Sequence, residues 1–345
     1  MADVAVIGAG VNGLAAAWAL RRAGVDAVVY EQFELGNTRG SSHGRTRIFR
    51  LAYPDVEWVL LAQEALVGWR ELEAESGEEL LLLNGMLELY REGVISSEEA
   101  LRRRNADCEL LTREETEQRF GVSPASDYNV LYQPEAGIVY AERAMHAFAQ
   151  GLNIVEGRRI ESLGDVEESV VVVCAGPWSR SLLGAQGIDL PVVATRETIA
   201  YFELDGQIPS VVAEVILRGH GFYSLYDPVY GLKVGSHMRG KPADPDEQVG
   251  ADPGLVDEIV EWTAARFPRA GREPIDAQSC FYTSTDDERF IIERHPDRRR
   301  LGVLGPRLQV RACSRQATRC ARGRSALALV RNAVGQSPTA CHERV

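Results

Sequence analysis

The sequence predicts a mixed α/β fold in two parts: a parallel-sheet unit starting at the N-terminus, and a second unit on a largely antiparallel sheet. Three observations carry this. Residues 3–32 read as strand, glycine turn, helix and strand. A second very apolar run, Val170–Ala175, breaks at Gly176-Pro177-Trp178, as a central strand does at its carboxyl end. Between Val192 and His237, four strand-like runs follow one another with no helical pattern between them.

At the N-terminus, Val4–Ile7 are apolar and rich in β-branched residues, which suits a buried parallel strand. Gly8, Gly10 and Gly13 then form G-x-G-x-x-G, Leu14–Arg22 read as a helix, and Ala27–Tyr30 form a second strand ending at Glu31. Gly8 permits the tight turn, Gly10 lets backbone approach a pyrophosphate, and Gly13 lets helix pack on strand. The phosphates belong at the helix N-terminus, where free N–H groups and the helix dipole favour an anion. Glu31 is placed to accept hydrogen bonds from both hydroxyls of an adenosine ribose, and it would repel a 2′-phosphate. The glycines alone also describe a merely tight strand–helix turn. With strand, helix, strand and acid in register they predict a Rossmann-like dinucleotide site.

The 345 residues suffice for about two domains with a sizeable core. A net charge of −12 argues against a nucleic-acid or anionic-membrane partner. No apolar run approaches the roughly 20 residues that span a bilayer. The chain enters its first strand at once, so no signal peptide is expected, and the cytoplasm is the default. Six scattered cysteines show no zinc or disulfide spacing.

Asn37–Tyr53 predicts a loop folded against a ligand, with His43, Arg45, Arg47 and Arg50 supplying positive charge. A solvated basic loop is the commoner use of arginines. Here Arg47 and Arg50 lie among Ile48, Phe49, Leu51 and Ala52, and guanidinium groups held among apolar residues usually face an anion. Val56–Ala74 reads as an amphipathic helix, and Glu79–Leu89 as strand with Asn84-Gly85 as a hairpin turn. Ser96–Asn105 and Thr112–Phe120 are polar helices, the latter opened by a Thr112–Glu115 capping box. Asn129–Tyr132 is a strand, with a helix in the second half of residues 133–150. Gly151–Ser169 leaves little room for a further hairpin. Val192–Leu204, Val211–Leu217, Gly221–Tyr226 and Gly231–His237 are strands, Pro253–Phe267 a helix, and Ser279–Ser284, Arg289–Glu293 and Leu301–Gly305 strands again. His220 and His295 read as structural.

Several stretches fit one family. GAGVNG (Gly8–Gly13), GSSHGRTRIFRLAY (Gly40–Tyr53), QPEAGIVYAE (Gln133–Glu142), CAGPWS (Cys174–Ser179), GLKVGSH (Gly231–His237) and CFYTSTDDERFII (Cys280–Ile292) resemble the monomeric sarcosine oxidase and N-methyl amino acid oxidase family. The resemblance implies FAD rather than NAD, and oxidation of an amine on a small amino acid by hydride transfer to the flavin, with oxygen reduced to hydrogen peroxide. It implies a monomer acting on a small amine or amino acid and O2. It places a covalent thioether to FAD at Cys280, His43 and Arg47 beside the flavin ring, and Arg50 on the substrate carboxylate. Lys233 becomes the promoter of oxygen reduction and His237 a nearby polar group. Tyr223 and Tyr282 flank the substrate. Gly40, Ser41, Gly176 and Trp178 join Gly8, Gly10, Gly13 and Glu31 in holding the cofactor. The expected division assigns 1–78, 137–188 and 284–345 to the FAD-binding domain, and 79–136 and 189–283 to the substrate domain. A glycine- or D-amino-acid-oxidase-like enzyme or a dehydrogenase of the same superfamily remain alternatives. The residues also speak independently. A fixed cation near a flavin lowers the barrier to reducing oxygen, and aromatic faces attract an amine through cation–π contact.

After Gly305 the resemblance stops. The family ends in a Gly-x-Ser-Gly-His-Gly-Phe-Lys-Phe loop that covers the flavin and offers a lysine to the substrate carboxylate. This chain reads Pro306-Arg307-Leu308-Gln309-Val310-Arg311-Ala312 instead. Its last forty residues hold eight arginines, no lysine and a single acid, Glu343. One of the many codon sets that encode Arg307–Cys313, CGG-CTT-CAG-GTT-CGG-GCA-TGC, would spell Gly-Phe-Arg-Phe-Gly-His-Ala if read one base later. A tail out of frame is one explanation, a genuinely divergent tail or a family member with another active-site lid are others, and a flavin protein with impaired turnover is a further alternative.

Overall fold

The computed structural model describes residues 2–94, 96–206, 208–215, 221–286, 291–294 and 301–304. The chain opens with β1 (Val4–Ile7), α1 (Val11–Arg22), β2 (Ala27–Tyr30) and β3 (Thr46–Phe49). It continues through α2 (Val56–Ser76), β4 (Leu81–Leu82), β5 (Met86–Arg91), α3 (Glu98–Arg103), β6 (Glu109–Leu111) and α4 (Arg113–Phe120). Then come β7 (Tyr128–Gln133), β8 (Gly137–Tyr140), α5 (Ala141–Ala149), β9 (Asn153–Val155), β10 (Val170–Val173) and α6 (Ser179–Gly184). The rest is β11 (Val193–Glu203), β12 (Val211–Val215), β13 (Gly221–Asp227), β14 (Gly231–His237), β15 (Lys241–Pro242), α7 (Pro253–Arg266), β16 (Asp276–Ser284), β17 (Ile292–Arg294) and β18 (Leu301–Leu304).

The continuous apolar runs of β1 and β10 follow from burial on both faces. Val4, Val6 and Val172 pack toward α1 and α5, where Trp18 meets Phe148 edge-on at 5.6 Å. Ala5, Ile7, Val171 and Val173 pack on the opposite side with Leu182 and Leu183 of α6. The sheet runs β17-β18-β10-β1-β2-β9, parallel except where β17 joins β18. The β1–α1 turn is set by contact distances. A Cβ on Gly8, whose φ is +102°, would come within 2.5 Å of the Cys174 carbonyl oxygen. One on Gly13 would lie 1.8 Å from the Gly8 carbonyl, so only glycine lets α1 cross the strand this closely.

The second sheet has nine strands, β15-β11-β14-β13-β12-β5-β7-β6 with β16 added on β11. Its pairings are antiparallel except for β12 with β5. Alternation gives it two characters. Leu87, Phe202, Leu232 and Val234 pack on one side with Trp262 and Phe267. Ile199, Tyr223, Lys233 and Cys280 face a cavity on the other.

One expectation needs correction. Asn84-Gly85 is not a hairpin turn, because β4 pairs with β8 in a small third sheet while β5 pairs with β7 and β12. The chain crosses between sheets there. Asn84 Oδ1 accepts from the Ser210 amide at 2.8 Å, and Gly85, at φ +106°, donates to the Ala136 carbonyl at 2.9 Å. Asn-Gly was chosen for its conformational freedom, and a hairpin is only one use of that. Residues 151–169 contribute β9, a single parallel strand on β2, and no hairpin, as the short segment led one to expect. His220, His295 and the departure after Gly305 lie outside the described residues. No helix among the described residues is long and apolar enough to cross a membrane.

Candidate active site

Fifteen of the sixteen site residues expected from the sequence line one cavity of about 1270 Å³, and Gly13 is the exception. It starts at the β1–α1 turn and Glu31, passes the loop after β2, and ends between β3 and the sheet face carrying Lys233 and Cys280. Gly13 instead packs helix to strand.

At the cradle end, Glu31 is buried, and its oxygens accept from the Ala9 amide at 2.8 Å and the Phe33 amide at 3.0 Å. The acid therefore shapes the glycine turn as well as facing the cavity. Gly10 caps α1 with no side-chain hydrogen bond. Ser42 Oγ instead accepts from the Val11 amide at 3.0 Å, a cap supplied from 31 residues away. Asn12 Oδ1 is buried with no partner among the described residues. Open helix N–H groups and a glycine surface suit a pyrophosphate.

At the other end, Lys233 is 3% exposed, and its Nζ donates to the Thr46 carbonyl at 3.2 Å. Arg47 Nη1 donates to the same carbonyl at 2.8 Å, and Arg47 Nη2 donates to the carbonyls of Ser41, at 2.7 Å, and His43. Arg47 thus ties its own loop while lending it charge. Burial, with Arg47 and Arg45 nearby, lowers Lys233 to about 7. Burial also lowers His43 to about 4, helped by Arg47 and Lys233, so the imidazole is neutral at physiological pH. Its Nε2 has no partner among the described residues.

Cys280 on β16 pairs with Glu197 of β11. Burial pushes its thiol up, Arg47 and Lys233 pull it down, and Glu197 opposes them. Glu197 is itself buried, accepting from Thr195 Oγ1 at 2.7 Å and from the amides of Arg239 and Gly240 at 3.1 and 2.9 Å. Tyr282 Oη donates to Tyr223 Oη at 3.4 Å, and the His237 ring stands edge-on to both. Arg50 lies over the Tyr53 ring at 4.7 Å. No group of three potential metal-ligating side chains occurs among the described residues.

Sequence reading passed over Ser42, the Thr46 carbonyl and Asp227. It also overlooked one countable signal. The whole chain has only two lysines, Lys233 and Lys241. Lys241 is exposed and pairs with Asp252, so Lys233 is the one lysine placed where a compact cation with a movable pKa is buried.

The fold and cavity define an FAD-dependent oxidoreductase. The chain belongs to the FAD dependent oxidoreductase (DAO) family, which matches residues 3–306. It is 30% identical to the monomeric sarcosine oxidase of Bacillus sp. strain B-0618 over 332 residues, covering 86% of this chain and 84% of that one. It is likewise 30% identical to the human peroxisomal sarcosine oxidase, covering 85% and 84%. The fold matches NikD, an unusual amino acid oxidase of nikkomycin biosynthesis, with a TM-score of 0.79 at 21% identity over 98% of this chain and 95% of that one. Glycine oxidase from Geobacillus kaustophilus follows at 0.73 and 19%, over 98% and 96%.

Proposed function

We propose that the protein oxidises a secondary amine on a small amino acid, such as sarcosine or an N-methyl or cyclic amino acid, with oxygen as electron acceptor. It works as a cytoplasmic monomer. Residues 1–78, 137–188 and 284–345 hold FAD, and 79–136 and 189–283 present the substrate. The supporting observation is Lys233, a buried amine beside Cys280, in a cavity continuous with the dinucleotide cradle.

When bound, FAD would supply a two-electron acceptor that oxygen can reoxidise. The chain does the rest. The Gly8–Gly10 turn and the α1 N-terminus would hold the pyrophosphate, Glu31 the ribose, and Cys280 would be the point of covalent attachment. Arg50 pairs with the substrate carboxylate, so the amine falls among Tyr223, Tyr282 and His237. Burial keeps Tyr223 well above the ordinary phenol value, so it stays protonated as the amine approaches. Lys233 supplies the cation that favours negative charge developing on oxygen.

Acid precipitation and one visible spectrum test this reading. A yellow pellet that becomes a yellow supernatant in Cys280→Ser supports tethered FAD, and flavin bleaching by sarcosine without air, with peroxide on its return, supports the reaction. A colourless protein, or a flavin that N-methyl amino acids never bleach, overturns it.

A further inference from the structure

Arg45 and Asp227 have no part in the chemistry above, yet both are built into its surroundings. Arg45 Nε donates to Asp227 Oδ2 at 2.9 Å and to Oδ1 at 3.2 Å, across 182 residues. Asp227 is 1% exposed, and its Oδ1 also accepts from the amides of Val229 and Tyr230 at 3.0 Å. Those bonds fix the turn from β13 to β14, two residues before Lys233. The Arg45 guanidinium lies 5.1 Å from the Tyr201 ring centre and 4.8 Å from that of Tyr230, and Tyr201 pairs directly with Lys233. Next to Arg45 is Thr46, whose carbonyl receives the Lys233 ammonium. A surface ion pair would be worth little, but this carboxylate is buried and fully hydrogen-bonded.

We propose that the Arg45–Asp227 pair is the positioning device for Lys233: it pins β3, which carries the receiving carbonyl, to the turn feeding β14, and balances one charge of each sign beside the ammonium. The proposal rests on the oxygen-reducing role given to Lys233. The groups that act on Lys233 come from four places: Arg45 and Arg47 on and beside β3, His43 before it, Asp227 closing β13, and Cys280 on β16. Tyr201 on β11 faces it as a neutral phenol, pushed up to about 12 by burial. Within this set Asp227 favours the charged ammonium and Arg45 opposes it. The two halves of the pair therefore pull Lys233 in opposite directions, which a mere tether would not do.

With only two lysines, the holoenzyme labelled with 15N-lysine gives two side-chain resonances, and Lys233→Met identifies which is Lys233. Asp227→Asn is expected to lower its titration midpoint by about one pH unit and Arg45→Gln to raise it by about as much. The double variant should return near the parent value, and Asp227→Glu should hold it. Flavin reoxidation at pH 7.5 should slow severalfold in Asp227→Asn, while anaerobic reduction is spared. Midpoints that stay fixed, or move the same way in both single variants, overturn the proposal. If one single variant fails to fold, the other decides alone, since a midpoint that stays fixed or moves the wrong way in it overturns the proposal. If Lys233→Met reoxidises normally, the oxygen role falls, while the titrations still judge the pair.

Discussion

The Arg50 guanidinium lies 4.7 Å from the centre of the Tyr53 ring, and its Nε is buried with no hydrogen-bond partner among the described residues. A cation held over an aromatic face, with a donor left over, is ready for a carboxylate. A bidentate charge-assisted pair is worth roughly 1.5–3 kcal/mol. Arg50→Ala should therefore weaken a thioether-acetate inhibitor by about tenfold or more, read from the flavin spectrum. Equal affinity in the variant would move the carboxylate site elsewhere.

Lys233→Met removes the buried ammonium and keeps the bulk. Reoxidation by oxygen should slow by orders of magnitude, while anaerobic reduction by substrate changes little. Stopped-flow traces of the two half-reactions make the comparison, and unchanged reoxidation would pass the role to another cation.

His43 has a pH signature of its own. Its folded value of about 4 lies below the ordinary imidazole value of 6.5, so between these the unfolded chain binds more protons than the folded one. Stability is intact above pH 6.5 and is lost as pH falls toward 4, by about 3 kcal/mol. Denaturation midpoints of the apoprotein should show that slope, and His43→Asn should flatten it. An equal slope in both proteins would mean that the imidazole is charged when folded.

The segment after Gly305 makes a genetic prediction. The family match ends at residue 306, where the arginine-rich, acid-poor run begins. Restoring the alternative frame near codon 306 should raise turnover by at least about tenfold, through a regained partner for the substrate carboxylate. A gene with no offset frame for Gly-Phe-Lys/Arg-Phe, together with normal turnover of the protein as written, would end this account.

Much of the parallel sheet was legible because its signals are local. Gly8 and Gly13 announce a turn that sterics allow to no other residue, and the Val4–Ile7 and Val170–Val173 runs announce strands covered on both faces. The Thr112–Glu115 capping box, too, is present on both sides. Asn84-Gly85 misled for a related reason. Local sequence states that the backbone turns, but which strands then pair is settled by partners far along the chain.

The active site divides in the same way. By itself the sequence determined which residue types were available: a glycine cradle, an acid at the end of β2, and a lysine and a cysteine in apolar strands. Tertiary structure alone decided that Lys233 would meet the Thr46 carbonyl across 187 residues, and that Arg45 would find Asp227 across 182. Side-chain alternation sets only two faces for a strand. Which face is buried, and what stands opposite, depends on sheet register and on how β3 lies against β14, and these emerge only when the whole core packs.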